Sequence, residues 1–182
     1  MVDLPIDEQL TSKFGSYTLI TGFLLIILGA AGLFLPGVIS LGTAIFVAWL
    51  LIVGALIWAT HTYRYHARSV MGWIKPALLL ITGGLMLYNP LSGVAAVGLL
   101  LAIYLLMDAF GSFALAQSIH PAKGWGWMVF NGIISALLAM LFLIGWPATS
   151  LWLVGLYVSI SLLFDGVALI AVGAAIRKAD KR

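Results

Sequence analysis

Two carboxylates, Asp108 and Asp165, stand inside long apolar stretches of the chain. Spacing puts polar company beside each. Tyr104, Asp108 and Ser112 recur at i, i+4, i+8, which is one face of a helix, and Tyr157, Ser161 and Asp165 do the same. An acid in such a setting can hold a proton or a cation between helices, and intramembrane acids are often functional. It can also accept hydrogen bonds from a neighbouring helix, or lie near enough to an interface to stay wet. The residues leave these readings side by side. The candidate intramembrane polar site is therefore Asp108, Asp165, Tyr104, Ser112, Tyr157 and Ser161.

Other chemistries find little support. His61 and His66 are spaced i, i+5, whereas a helical metal pair needs i, i+4, so no metal site is expected. Cytoplasmic pH sensing and a hydrated loop position are both open to His61, His66 and His120. With no cysteine there is no thiolate ligand, disulfide or cysteine nucleophile. The chain contains no G-x-S-x-G, no H-E-x-x-H and no phosphate-cradling glycine loop before Lys-Ser or Lys-Thr. No enzymatic activity and no cofactor are expected.

The elements that must position these residues follow from composition. Apolar residues make up 63% of the chain and charged residues 8%. A soluble domain has roughly 45–50% and about 25%, so lipid is the solvent that suits this chain. Three long runs, 14–63, 76–122 and 124–176, contain no Asp, Glu, Lys or Arg besides the two acids. Each holds about 50 residues, and a helix needs about 20 to cross the hydrocarbon core, so each run is two crossings and a turn. The turns carry Pro36, Pro90 and Pro147, because proline removes a backbone donor and ends or starts a helix. Helices are expected near 17–35, 40–60, 73–89, 92–116, 125–145 and 149–175. Residues 1–16 form a polar N-terminal tail without the pattern of a cleavable signal, and residues 176–182 a basic C-terminal one.

Charge sets the expected orientation. All nine Lys and Arg fall on one side of these spans: Lys13; Arg64, Arg68 and Lys75; Lys123; Arg177, Lys178, Lys181 and Arg182. Short loops rich in Lys and Arg stay in the cytoplasm, so both termini are expected there and the proline turns outside. Those turns hold no His, Asp, Glu, Lys or Arg, and no such side chain there could sense external acid. The basic segments can set topology alone, or also attract anionic lipid. Water-facing stretches are too short for a nucleic-acid surface.

The prolines stand 54 and 57 residues apart, and the sequence repeats around them. Eight residues after each comes Ala44, Gly98 or Gly155, and eighteen after comes Gly54, Asp108 or Asp165. The expected fold is an all-α membrane protein of six transmembrane helices, built as three parallel-repeated helical hairpins at about 17–60, 73–116 and 125–175. In the third repeat Met140 occupies the place of Gly29 and Gly83. Pairs such as Ala44/Ala48, Ser135/Ala139, Gly155/Ser159 and Ala171/Ala175 let backbones approach in lipid and are expected to form packing seams of the bundle or of an oligomer.

The segments Gly29–Ser40 (GAAGLFLPGVIS), Gly83–Ser92 (GGLMLYNPLS) and Leu162–Gly166 (LLFDG) resemble the HdeD-type acid-resistance membrane proteins, which are built from short repeats. The resemblance covers roughly residues 15–175. It implies a bacterial inner-membrane protein tied to acid or general stress, and no established chemistry. A non-enzymatic stress-tolerance protein and a small proton- or solute-conducting carrier using Asp108 and Asp165 are the two leading readings. The lipid bilayer, and a homo-oligomer or another membrane protein, are the expected partners.

Overall fold

The computed structural model describes residues 8–66 and 68–179, without the side chains of 8–14, 16, 66 and 179. Asp3, Asp7, Lys181 and Arg182 lie outside the described residues. Six helices follow one another: α1 (Glu8–Phe34), α2 (Pro36–His66), α3 (Val70–Tyr88), α4 (Pro90–Ile119), α5 (Trp125–Leu143) and α6 (Ser150–Ala179). Each contains a segment long and apolar enough to cross a membrane, the architecture of a multi-pass membrane protein.

The helices overrun the apolar stretches. α1 begins at Glu8 rather than near 17, α2 runs on to His66 and α4 to Ile119. A helix satisfies its own backbone polar groups, so it need not stop where the hydrocarbon does. Pro36 and Pro90 open α2 and α4, where a missing N–H costs nothing. Pro147 instead lies within a six-residue turn, 144–149, ahead of α6. Pro76 sits inside α3 and cannot donate to the Gly72 carbonyl. Thr62 Oγ1 of α2 donates to that carbonyl instead, at 3.1 Å.

The chain forms two compact units. In the first, comprising residues 1–36 and 155–182, α1 lies against α6. Small residues recur every seven positions on both helices: Gly15, Gly22 and Gly29 on one, Ser159, Gly166 and Gly173 on the other. A β-carbon on Gly22 would stand 2.8 Å from the Gly166 carbonyl oxygen, and one on Gly29 2.7 Å from that of Ser159. Only hydrogen fits between these backbones.

The second unit, residues 37–154, repeats the device twice. Between α2 and α3, Gly83 meets the Ala48 backbone and Ile52. Between α4 and α5, Gly132 receives the Phe113 ring, and Ala102, Ala109, Ala116 and Ala139 are buried. The tight seams thus join the second helix of one repeat to the first helix of another, and α4 packs more extensively on α5 than on α3. Ala44/Ala48, Ser135/Ala139 and Gly155/Ser159 are buried as expected of seams, whereas Ala171 and Ala175 are exposed, since Gly166 and Gly173 mark the packed stripe of α6. Met140 is 60% exposed and Ala139 fully buried. The longer third turn shifts α5 by one residue, so Ala139 takes the place held elsewhere by Gly29 and Gly83.

Candidate functional site

α4 and α5 are antiparallel neighbours joined by a short loop, residues 120–124, whose Gly124 adopts φ +106° ahead of α5. An i, i+4 pair on each helix therefore meets across the seam. Asp108 and Ser112 face Asn131 and Ser135. Ser135 Oγ donates to Asp108 Oδ2 at 2.6 Å, and Asn131 Nδ2 donates to the same oxygen at 3.2 Å. Asn131 Nδ2 also donates to Ser112 Oγ at 2.9 Å. Both serines are buried, at 6% and 5% exposure, while Asp108 is partly covered and Asn131 is exposed. Ala109 and Ala116 beside the cluster are small enough to let the two helices meet.

The cluster lies well inside α4 and α5 rather than at their loop-side ends. α5 has 19 residues, about 28 Å at 1.5 Å per residue. Asn131 and Ser135 are six and ten residues into it, roughly 9 and 15 Å from its first residue. α4 continues eleven residues beyond Asp108. A carboxylate at this depth needs hydrogen-bond partners, and three short polar side chains gather around it.

The remaining candidates separate. Tyr104, although i−4 to Asp108, is 58% exposed and outside the cluster. Asp165 is exposed at the middle of α6, where Ser161 Oγ donates to its Oδ2 at 3.4 Å. Tyr157 is partly covered on the same helix. Asp108 and Asp165 belong to different units. Asn131, which completes the Asp108 cluster, escapes a reading based on charge alone. Its signal is the pairing of Asn131/Ser135 with Asp108/Ser112 at similar distances from one short loop. The histidines keep aromatic company: His61 lies 5.4 Å from Trp58 and 4.8 Å from Tyr65, and His120 4.9 Å from Trp125. Among the described residues no three His, Asp or Glu gather as a metal would require.

Chemically, the cluster is an acceptor with two donors on one oxygen. It can fasten α4 to α5, and it can take up a proton on the carboxylate.

No curated protein and no solved structure matches the chain. A protein family described as a short repeat of unknown function, DUF308, matches twice, over residues 20–87 and 74–144. The two matches begin 54 residues apart, the spacing of Pro36 and Pro90, and together cover more than half of the sequence. The chain belongs to this DUF308 short-repeat family.

Proposed function

We propose that this chain is a non-enzymatic, multi-pass protein of the bacterial inner membrane, of the HdeD type, with both termini in the cytoplasm, serving acid or general stress tolerance. The observation that carries the non-enzymatic reading is the hydrogen bonding of Asp108. Its Oδ2 is taken by Ser135 and Asn131, an arrangement suited to fastening two helices. The stress role rests on the repeat segments that resemble HdeD-type proteins and on membership of the short-repeat family. The orientation rests on the nine-to-zero split of Lys and Arg between the two sides. Partner binding, to a second copy or to another membrane protein, is the route by which such a protein would act.

The test is survival of deletion cells after acid challenge, at high and low cell density, with wild-type or variant chain restored. Survival should fall on deletion and return with wild-type and with Asp108→Asn, which keeps the helix clamp. Unchanged survival of deletion cells under acid and under other membrane stresses would remove the stress role.

A second reading, a small proton- or solute-conducting carrier, has one observation in its favour. A cleft of about 340 Å³, lined by Phe113, Gln117, His120, Trp125 and Val129, opens between the loop-side ends of the same two helices that hold Asp108. Proton flux into liposomes distinguishes the readings: flux abolished by Asp108→Asn in a normally folded protein selects the carrier.

A further inference from the structure

Lys75 is a cation set within an apolar helix. It lies five residues inside α3, about 7.5 Å from that helix's first residue. Its Nζ rests 3.3 Å from the centroid of the Trp58 ring on α2. Among the described residues it forms no ion pair. The repeat shows why. One repeat later, the equivalent of Lys75 is Asn131, which faces Asp108 across the α4–α5 seam. Across the α2–α3 seam the equivalent of Asp108 is Gly54, so the position that would supply an acid supplies only hydrogen. A ring face satisfies one side of an ammonium, and Lys75 is otherwise exposed.

Beside Lys75 runs a shallow, open apolar groove on the face of α3 itself, formed by Met71, Ile74, Leu78 and Leu79. Met71, Ile74 and Leu78 are exposed. The groove therefore joins a single cation to an open hydrocarbon slot. Arg64 and Arg68, both exposed on the same side, add positive charge nearby.

We propose that Lys75, Trp58 and this groove form a binding site for one anionic phospholipid, with phosphate on the ammonium and an acyl chain along Ile74 and Leu78. The charge favours an anionic headgroup over a zwitterionic one for a specific reason. The choline group of phosphatidylcholine is itself a cation that seeks an aromatic face, and Lys75 already occupies that of Trp58. Phosphatidylglycerol brings a phosphate without a competing cation.

The experiment is native mass spectrometry of the full chain, purified in detergent and offered equal amounts of phosphatidylglycerol and phosphatidylcholine with matched acyl chains. Wild-type protein should retain phosphatidylglycerol in preference. Lys75→Gln should lower that preference about fivefold, the effect of one interfacial charge. Leu78→Trp, which fills the slot and leaves the charge, should also lower retention, whereas Lys123→Gln on the α4–α5 loop should not. Helical circular dichroism and a single elution peak establish that each variant is folded. Unchanged retention by Lys75→Gln, or an equal loss from Lys123→Gln, overturns the site. Displacement of the lipid by excess inorganic phosphate would mean a free-anion site and overturns the lipid assignment.

Discussion

The fastening role of Asp108 can be measured by removing its two faces separately. Asp108→Asn keeps an acceptor for Ser135 at the same place, while Asp108→Leu leaves the hydroxyl of the buried Ser135 without its acceptor. Asn131 retains Ser112 in either case. An unpaired buried donor costs about 1–3 kcal/mol, and interhelical hydrogen bonds in lipid average about 0.6 kcal/mol with a maximum near 1.7. Asp108→Leu should therefore destabilise the fold by about 1–3 kcal/mol and Asp108→Asn by less than about 1. The double variant Asp108→Leu/Ser135→Ala should cost less than the sum of its parts, by about 0.6–1.7 kcal/mol, because the stranded donor is gone. The assay is reversible unfolding of the purified chain in mixed micelles with increasing dodecyl sulfate. Equal losses for Asn and Leu, or strict additivity with Ser135→Ala, would refute the clamp.

Three further outcomes can be checked. Gly166→Ala should cost about 1–3 kcal/mol in the same assay, since its β-carbon would stand 2.7 Å from the Gly22 carbonyl oxygen, while Gly84→Ala, which meets nothing within 4 Å, should be neutral or stabilising by up to about 1 kcal/mol. Thr62→Val should cost about 1 kcal/mol by uncovering the Gly72 carbonyl, and Pro76→Ala in the same chain should recover part of that loss by restoring an N–H donor. Reporter fusions after residues 66, 120 and 182 should read cytoplasmic and those at 37, 90 and 147 external; one inverted hairpin would sink the charge argument.

Much of the fold is legible in the sequence because lipid permits few solutions. Apolar runs of about 50 residues divided by proline admit little besides paired helices. The helix ends are less legible, since Glu8–Ser16 and Thr62–His66 are helical without being apolar. Met140 misleads because counting from Pro147 ignores the longer third turn, and the one-residue shift becomes visible only when Ala139 is found buried. The polar site divides in the same way. Ser112 and Asp108 stand together as their spacing requires, yet Tyr104 is exposed beside them. Asp165 has the same repeat position as Asp108, but no serine–asparagine pair answers it across the seam: Thr21 stands where Asn131 stands, and Leu25 where Ser135 stands. Which acid gains partners depends on the helix opposite, and hairpin assignment within one repeat does not name that helix.

The pairing of α1 with α6 also bears on biosynthesis. α1 is made first, and the helix that covers its glycine face is made last. From Phe34 to Ser150 the ribosome adds more than a hundred residues, which takes roughly 6–23 s at about 5–20 residues per second. Throughout that interval Gly22 and Gly29 lack their partner backbone. A chain that stalls before α6 keeps them bare, so an unfinished copy differs from a finished one by an uncovered glycine stripe on α1.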